Sequence, residues 1–223
     1  MTDTLGLLYA EKADTYFDRV RTEILPLLPA GSVDRTLEVG CGNGDTLAYL
    51  RANGRSRWTC GVELFPEAAE IARGRVDEVY AGNIEHMELP IAPASLDVVL
   101  CLDVLEHLID PWTTASRLAR LLKPGGVLIA SVPNVRHFRV VLPLLLRGRW
   151  EYQQSGLMDR THLRFFTEHS ATELLRQAGL CVDAVRKPGL DSIQKRSAVL
   201  LSAGLLEPLL VFQYLIRGIR QAS

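Results

Sequence analysis

Features that would direct a chain to nucleic acid, a membrane or the extracellular space are scarce in this sequence. Its 223 residues include 4 cysteines, and no two of them have the C-x-x-C spacing of a redox or zinc site. The 25 basic and 26 acidic residues leave a net charge of −1, which argues against a broad nucleic-acid-binding surface. No basic-then-apolar start resembles a signal peptide. We therefore expect a cytoplasmic protein whose cysteines are small, buried and reduced thiols.

A long apolar run is also lacking. A membrane-spanning helix needs about 20 consecutive apolar residues. The nearest candidate, residues 198–216, is interrupted by four residues that do not suit such a span. They are Ser202, Glu207, Pro208 and Gln213. The stretch predicts two elements instead, a helical insertion at 190–207 and a last strand over Leu209–Ile216. Any contact with a membrane is expected to be peripheral.

The sequence does contain a strand, a glycine-rich loop and a helix in direct succession. Val33–Val39, with apolar Val33, Leu37 and Val39, predicts a short buried strand, and Thr46–Arg51 has the pattern of a helix. Gly40, Gly42 and Gly44 lie between them. Glycine lets the chain bend tightly and lets a ligand approach the backbone without a Cβ in the way. This succession predicts a nucleotide-binding turn, the alternative being a tight strand-to-helix turn without a ligand.

A carboxylate at the end of the next predicted strand favours the ligand. Glu63 follows Gly44 by 63 − 44 = 19 residues. A carboxylate about 20 residues beyond such a loop is placed to accept hydrogen bonds from ribose hydroxyls. The dinucleotide-binding fingerprint needs its third glycine one residue later than Gly44. The spacing therefore disfavours a nicotinamide-dependent dehydrogenase.

Five sequence blocks resemble, in the same order, those of the class I S-adenosylmethionine-dependent methyltransferases. They are Leu37–Thr46, Glu63, Ala81–Ile84, Leu96–Cys101 and Leu122–Ile129. The resemblance implies one methyltransferase domain over 1–223 with a Rossmann-like, doubly wound α/β sheet. It also implies seven strands in the order 3-2-1-4-5-7-6, the last of them antiparallel. The implied ligands are S-adenosylmethionine and its product S-adenosylhomocysteine.

The resemblance also assigns a donor site. The implied donor-binding residues are Glu38, Gly40, Gly42, Gly44, Glu63, Leu64, Asn83, Ile84 and Asp103. The family more often has aspartate at the position of Asn83, where it accepts a hydrogen bond from the adenine amino group, but an amide oxygen can also accept. The resemblance places Ile84 against the adenine face. Residues 1–30 are expected to form a helical lid over the donor, with Tyr16 and Arg21 facing it and Arg21 pairing with the methionine carboxylate. The alternative is a helix that only covers the sheet.

Residues 134–166 follow the fifth predicted strand and are not needed by the core, so we expect them to form the acceptor side. Within them, Asp159–Thr167 resembles a segment of methyltransferases from polysaccharide and sugar-nucleotide pathways. This suggests a catalytic His162 oriented by Asp159, since neutral histidine accepts a proton near neutral pH. His107, after the fourth strand, is the rival base. Asp159 and His162 would otherwise only tie the loop to the domain.

The acceptor has several candidate classes. A sugar or sugar-linked hydroxyl is the leading one, because this segment offers arginines for phosphates and aromatic rings for a sugar. These residues are Arg136, Arg139, Arg160, Arg164, Trp150 and Tyr152, with His137 beside them. A quinol or lipid phenol is the alternative acceptor. A catalytically silent donor-binding subunit is the alternative outside enzymes.

One further group raises the question of a metal. Asp103, Glu106 and His107 are similar to a cluster of ubiquinone-pathway O-methyltransferases that can hold a divalent cation. Such oxygen-rich ligands suit Mg²⁺ or Ca²⁺. Because Asp103 is one methylene shorter than the family's glutamate, we expect that no metal is required.

Overall fold

The computed structural model describes residues 20–190 and 192–222. Tyr16 and most of the predicted lid at 1–30 lie outside the described residues. The described part of that region contains a short 3₁₀ helix, Thr22–Leu27, with Pro26 inside it. Its apolar side chains Ile24 and Leu27 are buried against the sheet.

The core is a seven-stranded sheet in the order β3-β2-β1-β4-β5-β7-β6. Its strands are β1 Val33–Val39, β2 Ser56–Glu63, β3 Glu78–Ala81, β4 Leu96–Leu102, β5 Leu122–Pro133, β6 Leu180–Arg186 and β7 Gln213–Arg220. Neighbours from β3 to β5 are parallel, whereas β7 runs antiparallel to both β5 and β6. The predicted fold class, strand order and antiparallel last strand are confirmed.

Seven α-helices connect these strands within the described residues. They are α1 Asp45–Ala52, α2 Pro66–Arg73, α3 Pro111–Leu121, α4 Phe138–Arg147, α5 Glu168–Gln177, α6 Ile193–Leu201 and α7 Glu207–Leu210. Local sequence explains several starts. Proline is the first residue of α2 and of α3. Its missing N–H costs no hydrogen bond there, because the first N–H groups of a helix have no partner within the helix. Thr167 caps α5 through a reciprocal pair of bonds with Ser170.

The sheet is buried on both faces, which explains the continuous apolar run of β4. Leu118 of α3 and Leu174 of α5 pack on one face. Leu50 of α1 and the 3₁₀ helix pack on the other. A strand covered on both sides has no solvent-facing positions for polar residues, and six of the seven β4 residues are buried.

Two details differ from the sequence-based expectation. The last strand begins at Gln213 rather than Leu209, because residues 207–210 form the short helix α7 with Pro208 in its first turn. Cys41, Cys60 and Cys101 are buried, whereas Cys181 is exposed on the outermost strand β6.

The carboxyl ends of the parallel strands meet at one edge of the sheet, called here the carboxyl edge. Pro133, at the end of β5, pairs with Gln213, at the start of β7, so both lie at this edge. Residues 134–166 and 187–212 therefore leave the sheet at neighbouring positions; we call them the first and second insertions. Among the described residues, no helix combines the length and apolarity needed to cross a membrane.

Candidate active site

A cavity of about 440 Å³ opens at the carboxyl edge. The loops after β1, β2, β3 and β4 form its walls. Its lining includes Glu38, Gly40, Gly42, Glu63, Leu64, Phe65, Asn83, Ile84, Asp103, Val104, His107, Leu108 and Ile109, together with Arg21 and Leu163. Ligands of open α/β sheets bind beyond the carboxyl ends of the strands. The structure thus brings together nearly all donor-site residues predicted from the sequence, apart from Gly44 and the undescribed Tyr16.

The glycine loop shapes one wall of the cavity. Gly40 has φ +69° and Gly42 has φ +53°, which side-chain-bearing residues rarely adopt. A Cβ on Gly40 would lie 2.6 Å from Cγ2 of Val104, so the loop approaches the chain after β4 closely. The N–H groups of Gly40 and Cys41 both donate to the carbonyl of Val62, at 2.8 and 3.1 Å. The loop is therefore held against the end of β2. Gly44 is left-handed too and forms the N-cap of α1.

Glu63 links the end of β2 to the glycine loop. One carboxylate oxygen accepts from the N–H of Gly42 at 2.8 Å, and the other accepts from the N–H of Phe65 at 3.0 Å. The side chain lines the cavity but is only 4% exposed. Burial raises the pKa of Glu63, while the two backbone bonds oppose that shift. Each oxygen keeps a lone pair for a ligand hydroxyl, so a fixed acceptor faces the cavity.

Glu38, inside β1, is a buried carboxyl next to the same cavity. It is 3% exposed, and within the described residues its Oε2 atom has no hydrogen-bond partner. Burial raises the pKa of Glu38 to about 8, although the nearby Arg21 guanidinium opposes the shift. A polar atom without a partner is costly to bury. Its position in the cavity wall fits a group that a ligand completes.

Arg21 and Asp103 form a salt bridge across the cavity. Arg21 Nη1 lies 2.6 Å from Asp103 Oδ2, and its Nε atom lies 2.5 Å from Glu23 Oε1. Burial lowers the pKa of Arg21, but the two carboxylates outweigh it and the net shift is upward. The predicted pairing of Arg21 with a methionine carboxylate stays a prediction, because one nitrogen of the guanidinium already pairs with Asp103.

Asp103 has a strained backbone that its neighbours stabilise. Its φ is +57°, in the left-handed region. Its N–H donates to the Ser131 hydroxyl oxygen at 2.9 Å, and that hydroxyl donates to Asp103 Oδ1 at 2.9 Å. Gln213 donates to the same carboxylate. No local pattern in the sequence marks Ser131 or Gln213 as a partner of Asp103, because β5 and β7 meet Asp103 only in the folded sheet.

Asn83 and Ile84 lie where the resemblance puts the adenine. Ile84 is 6% exposed and lines the cavity. The side-chain oxygen of Asn83 accepts from the N–H of Glu85 at 2.8 Å, which closes the turn after β3. One lone pair of that oxygen remains for another donor. The predicted contact between Asn83 and the adenine stays a prediction.

Glu106, His107 and His162 come together beside the cavity, which His107 lines. One ligand atom from each lies within 4.8 Å of the others. The two imidazole rings are edge to face, with centroids 4.8 Å apart. His107 lines the cavity, whereas His162 is 7% exposed and is not among the lining residues. The rival bases predicted from the sequence are thus neighbours, and His107 is the one in the cavity wall.

Backbone carbonyls define the protonation pattern of these imidazoles. His107 Nδ1 lies 3.1 Å from the carbonyl oxygen of Thr161, and His162 Nδ1 lies 3.3 Å from that of Leu157. A carbonyl oxygen only accepts, so each Nδ1 carries a hydrogen. In the neutral form of each ring, Nε2 is then the accepting nitrogen.

Glu106 is the most deeply buried member of this cluster. It is 1% exposed, and among the described residues neither carboxyl oxygen has a hydrogen-bond partner. Burial raises the pKa of Glu106 well above its ordinary value, and the Asp103 carboxylate adds to the shift. Asp103, which the sequence groups with Glu106 and His107 as metal ligands, instead pairs with Arg21. The three-residue cluster in the structure has His162 in its place.

The first insertion is fastened to the chain after β4. The N–H groups of Leu163 and Arg164 donate to the carbonyl of Glu106 at 2.8 and 2.9 Å. Arg164 also donates to the carbonyl of Ile109. Asp159 Oδ1 accepts from the N–H and hydroxyl of Thr161, at 2.9 and 2.7 Å. The insertion therefore supplies Leu163 to the cavity wall. That Asp159 orients His162 stays a prediction.

The predicted sugar-binding side chains lie outside the cavity lining. Trp150 packs on the ring of Phe165, with centroids 5.1 Å apart. Arg136, Arg139 and Arg160 are exposed, and the cavity wall of the described structure contains none of them. The cavity lining contains the apolar residues Leu108, Ile109 and Leu163 instead.

Comparisons with known proteins agree with this geometry. A family model described as a methyltransferase domain matches residues 9–185. The chain is 34% identical over 114 residues to 27-O-demethylrifamycin SV methyltransferase of Amycolatopsis mediterranei, covering 48% of this chain and 42% of that protein. It is 32% identical over 168 residues to the ubiquinone biosynthesis O-methyltransferase of Paracidovorax citrulli, covering 73% of this chain and 65% of that protein.

Solved structures share the fold. An S-adenosylmethionine-dependent methyltransferase from Mesorhizobium loti superposes with a TM-score of 0.64 at 15% identity, covering 94% of this chain and 99% of that one. At this identity the likeness concerns the fold alone. The chain spans 42% and 65% of the lengths of the two relatives compared by sequence.

Glu38 generates a prediction about stability and pH. With its folded pKa raised to about 8 from an ordinary value of 4.5, the folded state keeps this proton while the unfolded state loses it. The free energy of unfolding should therefore fall between these pH values, by up to about 1.4 kcal/mol per pH unit. Glu38→Gln cannot ionise, so its stability should fall less. Urea unfolding of the ligand-free protein at pH 5.5 and pH 8 measures the difference.

The matched control is Glu67→Gln, which alters an exposed carboxylate on α2. Its pH dependence should follow that of the unmodified protein. Equal slopes for Glu38→Gln and the unmodified protein would show that Glu38 is not the group responsible.

Proposed function

The chain belongs to the methyltransferase domain family, and from this membership we propose that it transfers a methyl group from S-adenosylmethionine to a hydroxyl of a small molecule. The observation that carries the proposal is one cavity lined both by the glycine loop with Glu63 and by His107. S-adenosylmethionine supplies an electrophilic methyl group when bound. The protein must then align the acceptor and remove its proton, and alignment alone can lower a barrier by about 7–11 kcal/mol.

The residues around the cavity fit this donor. Glu63 is a fixed acceptor for ribose hydroxyls, because backbone bonds to Gly42 and Phe65 hold both of its oxygens. Glu38 offers a buried oxygen without a partner among the described residues, suited to a donor's ammonium or hydroxyl group. Because Gly40 and Gly42 have no side chains, a ligand can approach the backbone at this wall of the cavity. S-adenosylmethionine carries no phosphate groups, so its site needs no cluster of basic side chains to bind them.

His107 is the proposed base. It lines the cavity, and its Nδ1 lies 3.1 Å from the Thr161 carbonyl oxygen, so in the neutral ring Nε2 is the basic nitrogen and is suited to take the acceptor's proton. His162 lies behind it and would act as a positioning residue. This reverses the preference drawn from the sequence, where His162 came first.

The proposed acceptor has an apolar body that carries the hydroxyl, as in a phenol or quinol. Leu108, Ile109 and Leu163 around His107 favour such a body over a highly hydroxylated one. The names of the relatives, a ubiquinone biosynthesis O-methyltransferase and a rifamycin methyltransferase, are consistent with it. A sugar-linked hydroxyl is the second candidate, supported by the exposed Trp150, Tyr152 and Arg160 of the first insertion. Initial rates with catechols and with sugar nucleotides compare the two classes.

Donor affinity tests the first step. Glu63→Ala should weaken S-adenosylhomocysteine binding by about 1.5–3 kcal/mol, the usual loss for hydrogen bonds to a charged group. Gly42→Val should block binding, because a branched side chain would strain a backbone with φ +53° and enter the cavity. Calorimetry with Glu67→Ala as the matched control measures both. Unchanged affinity in the two site variants would contradict the assignment of the donor site.

Turnover tests the base. His107→Ala should lower kcat about 10²-fold or more while donor affinity is kept, because a positioned base contributes about 10²–10⁴-fold. His162→Ala should lose less, and His86→Ala, which alters an exposed histidine outside the cavity lining, should lose nothing. A larger loss for His162→Ala than for His107→Ala would return the base assignment to His162.

We further propose that turnover needs no metal. Asp103 is engaged by Arg21 and Ser131, so the oxygen-rich set suggested by the sequence is not assembled around one point. Activity on an identified acceptor should survive extensive treatment with a chelator. If the chelator abolishes turnover and Mg²⁺ or Zn²⁺ restores it, the cluster of Glu106, His107 and His162 holds an ion and the proposal is wrong.

A further inference from the structure

The two insertions carry the most exposed apolar side chains in the described part of the chain. Six large hydrophobic residues there are between 73% and 87% exposed. They are Leu145, Leu146, Ile193, Leu200, Leu201 and Leu205. Single exposed leucines are ordinary on protein surfaces, but a concentration of them in two neighbouring segments indicates a contact surface. Donor binding and proton removal use none of these residues.

The insertions are joined to each other at their bases. The Asn134 amide donates to the carbonyls of Pro208 and Val211, both at 2.7 Å. The ring of His137 meets that of Phe212 edge to face, with centroids 5.6 Å apart. Both segments start from the carboxyl edge, where the cavity opens. The exposed leucines therefore lie on segments that leave the same edge of the sheet and are joined at their bases.

Charge distinguishes the start of the first insertion from the rest of the chain. Residues 134–150 contain four arginines and no acidic residue, although the whole chain has a net charge of −1. Arg136, Arg139, Arg147 and Arg149 are all exposed. Leu145 and Leu146 occupy the last turn of α4, between these arginines, and Gly148 ends the helix in a left-handed conformation. Leu145 and Leu146 are thus flanked along the chain by exposed, positively charged side chains.

We propose that the two insertions form a docking surface for a lipid bilayer that contains anionic headgroups. A bilayer accepts protruding apolar side chains without needing a complementary shape, and its phosphates pair with arginine. A rigid protein partner would instead need a shaped groove or ridge to receive α4. The contact is peripheral, in keeping with the absence of a membrane-spanning helix among the described residues. It does not depend on which acceptor the enzyme uses.

Vesicle flotation of the full chain tests the surface. The protein should float with phosphatidylcholine vesicles containing about one third phosphatidylglycerol, and should do so less at high salt. Leu145→Gln/Leu146→Gln should lower the partition coefficient about tenfold or more, because two apolar anchors are lost. Arg147→Gln/Arg149→Gln should lower it severalfold on anionic vesicles only. Thermal unfolding and donor affinity, unchanged in each variant, would exclude misfolding as the cause.

The matched control is Ile71→Gln, which alters a 47% exposed isoleucine on α2, next to the opposite end of the sheet. Its partition coefficient should equal that of the unmodified protein. The proposal is overturned if the unmodified protein does not float, or if the leucine variant floats as well as the control. It is equally overturned if light scattering shows a dimer that the leucine variant dissociates and vesicles are not bound, since the surface would then pair with a second copy.

Discussion

The hydrogen bond from the N–H of Gly42 to Glu63, at 2.8 Å, is the contact on which the candidate site depends. It joins the loop after β1 to the end of β2, two neighbouring parallel strands whose ends both reach the carboxyl edge. Phe65 holds the second carboxylate oxygen, so the side chain cannot rotate away from the cavity. A negatively charged acceptor with both oxygens anchored is pre-organised, which reduces the entropy lost when a ligand binds.

Around that contact, the site buries several ionisable groups, which a folded core tolerates only when they are paired or neutral. Arg21 and Asp103 compensate each other, but Glu38 and Glu106 each retain carboxyl oxygens without a partner among the described residues. Their pKa values are raised because burial disfavours the ionised form. Such groups reduce stability and are typical of functional sites, where strain and unmet hydrogen bonds serve binding. Asp103 adds a left-handed backbone to the same region.

Much of the fold was predictable because it rests on local pattern. A nearly continuous apolar run predicted β4, since a strand covered on both faces needs no polar alternation. Pro66 suits a helix start because it lacks a backbone N–H, and Thr167 because its hydroxyl accepts from the N–H of Ser170. The predicted start of β7 at Leu209 was wrong. Leu209 and Leu210 suit a strand and a short helix equally, and Pro208 in the first turn favours the helix. The strand order came from resemblance to a family rather than from any single residue.

The sequence by itself determined the glycine loop, the carboxylate of Glu63 and the two histidines, because residue type and spacing along the chain carry that chemistry. Only the tertiary structure decided which histidine lines the cavity, since His107 and His162 lie 55 positions apart and meet through packing of the first insertion. It also turned Asp103 toward Arg21, Ser131 and Gln213, which come from three distant parts of the chain. Long-range contacts of this kind depend on how the sheet assembles, and no local pattern encodes them.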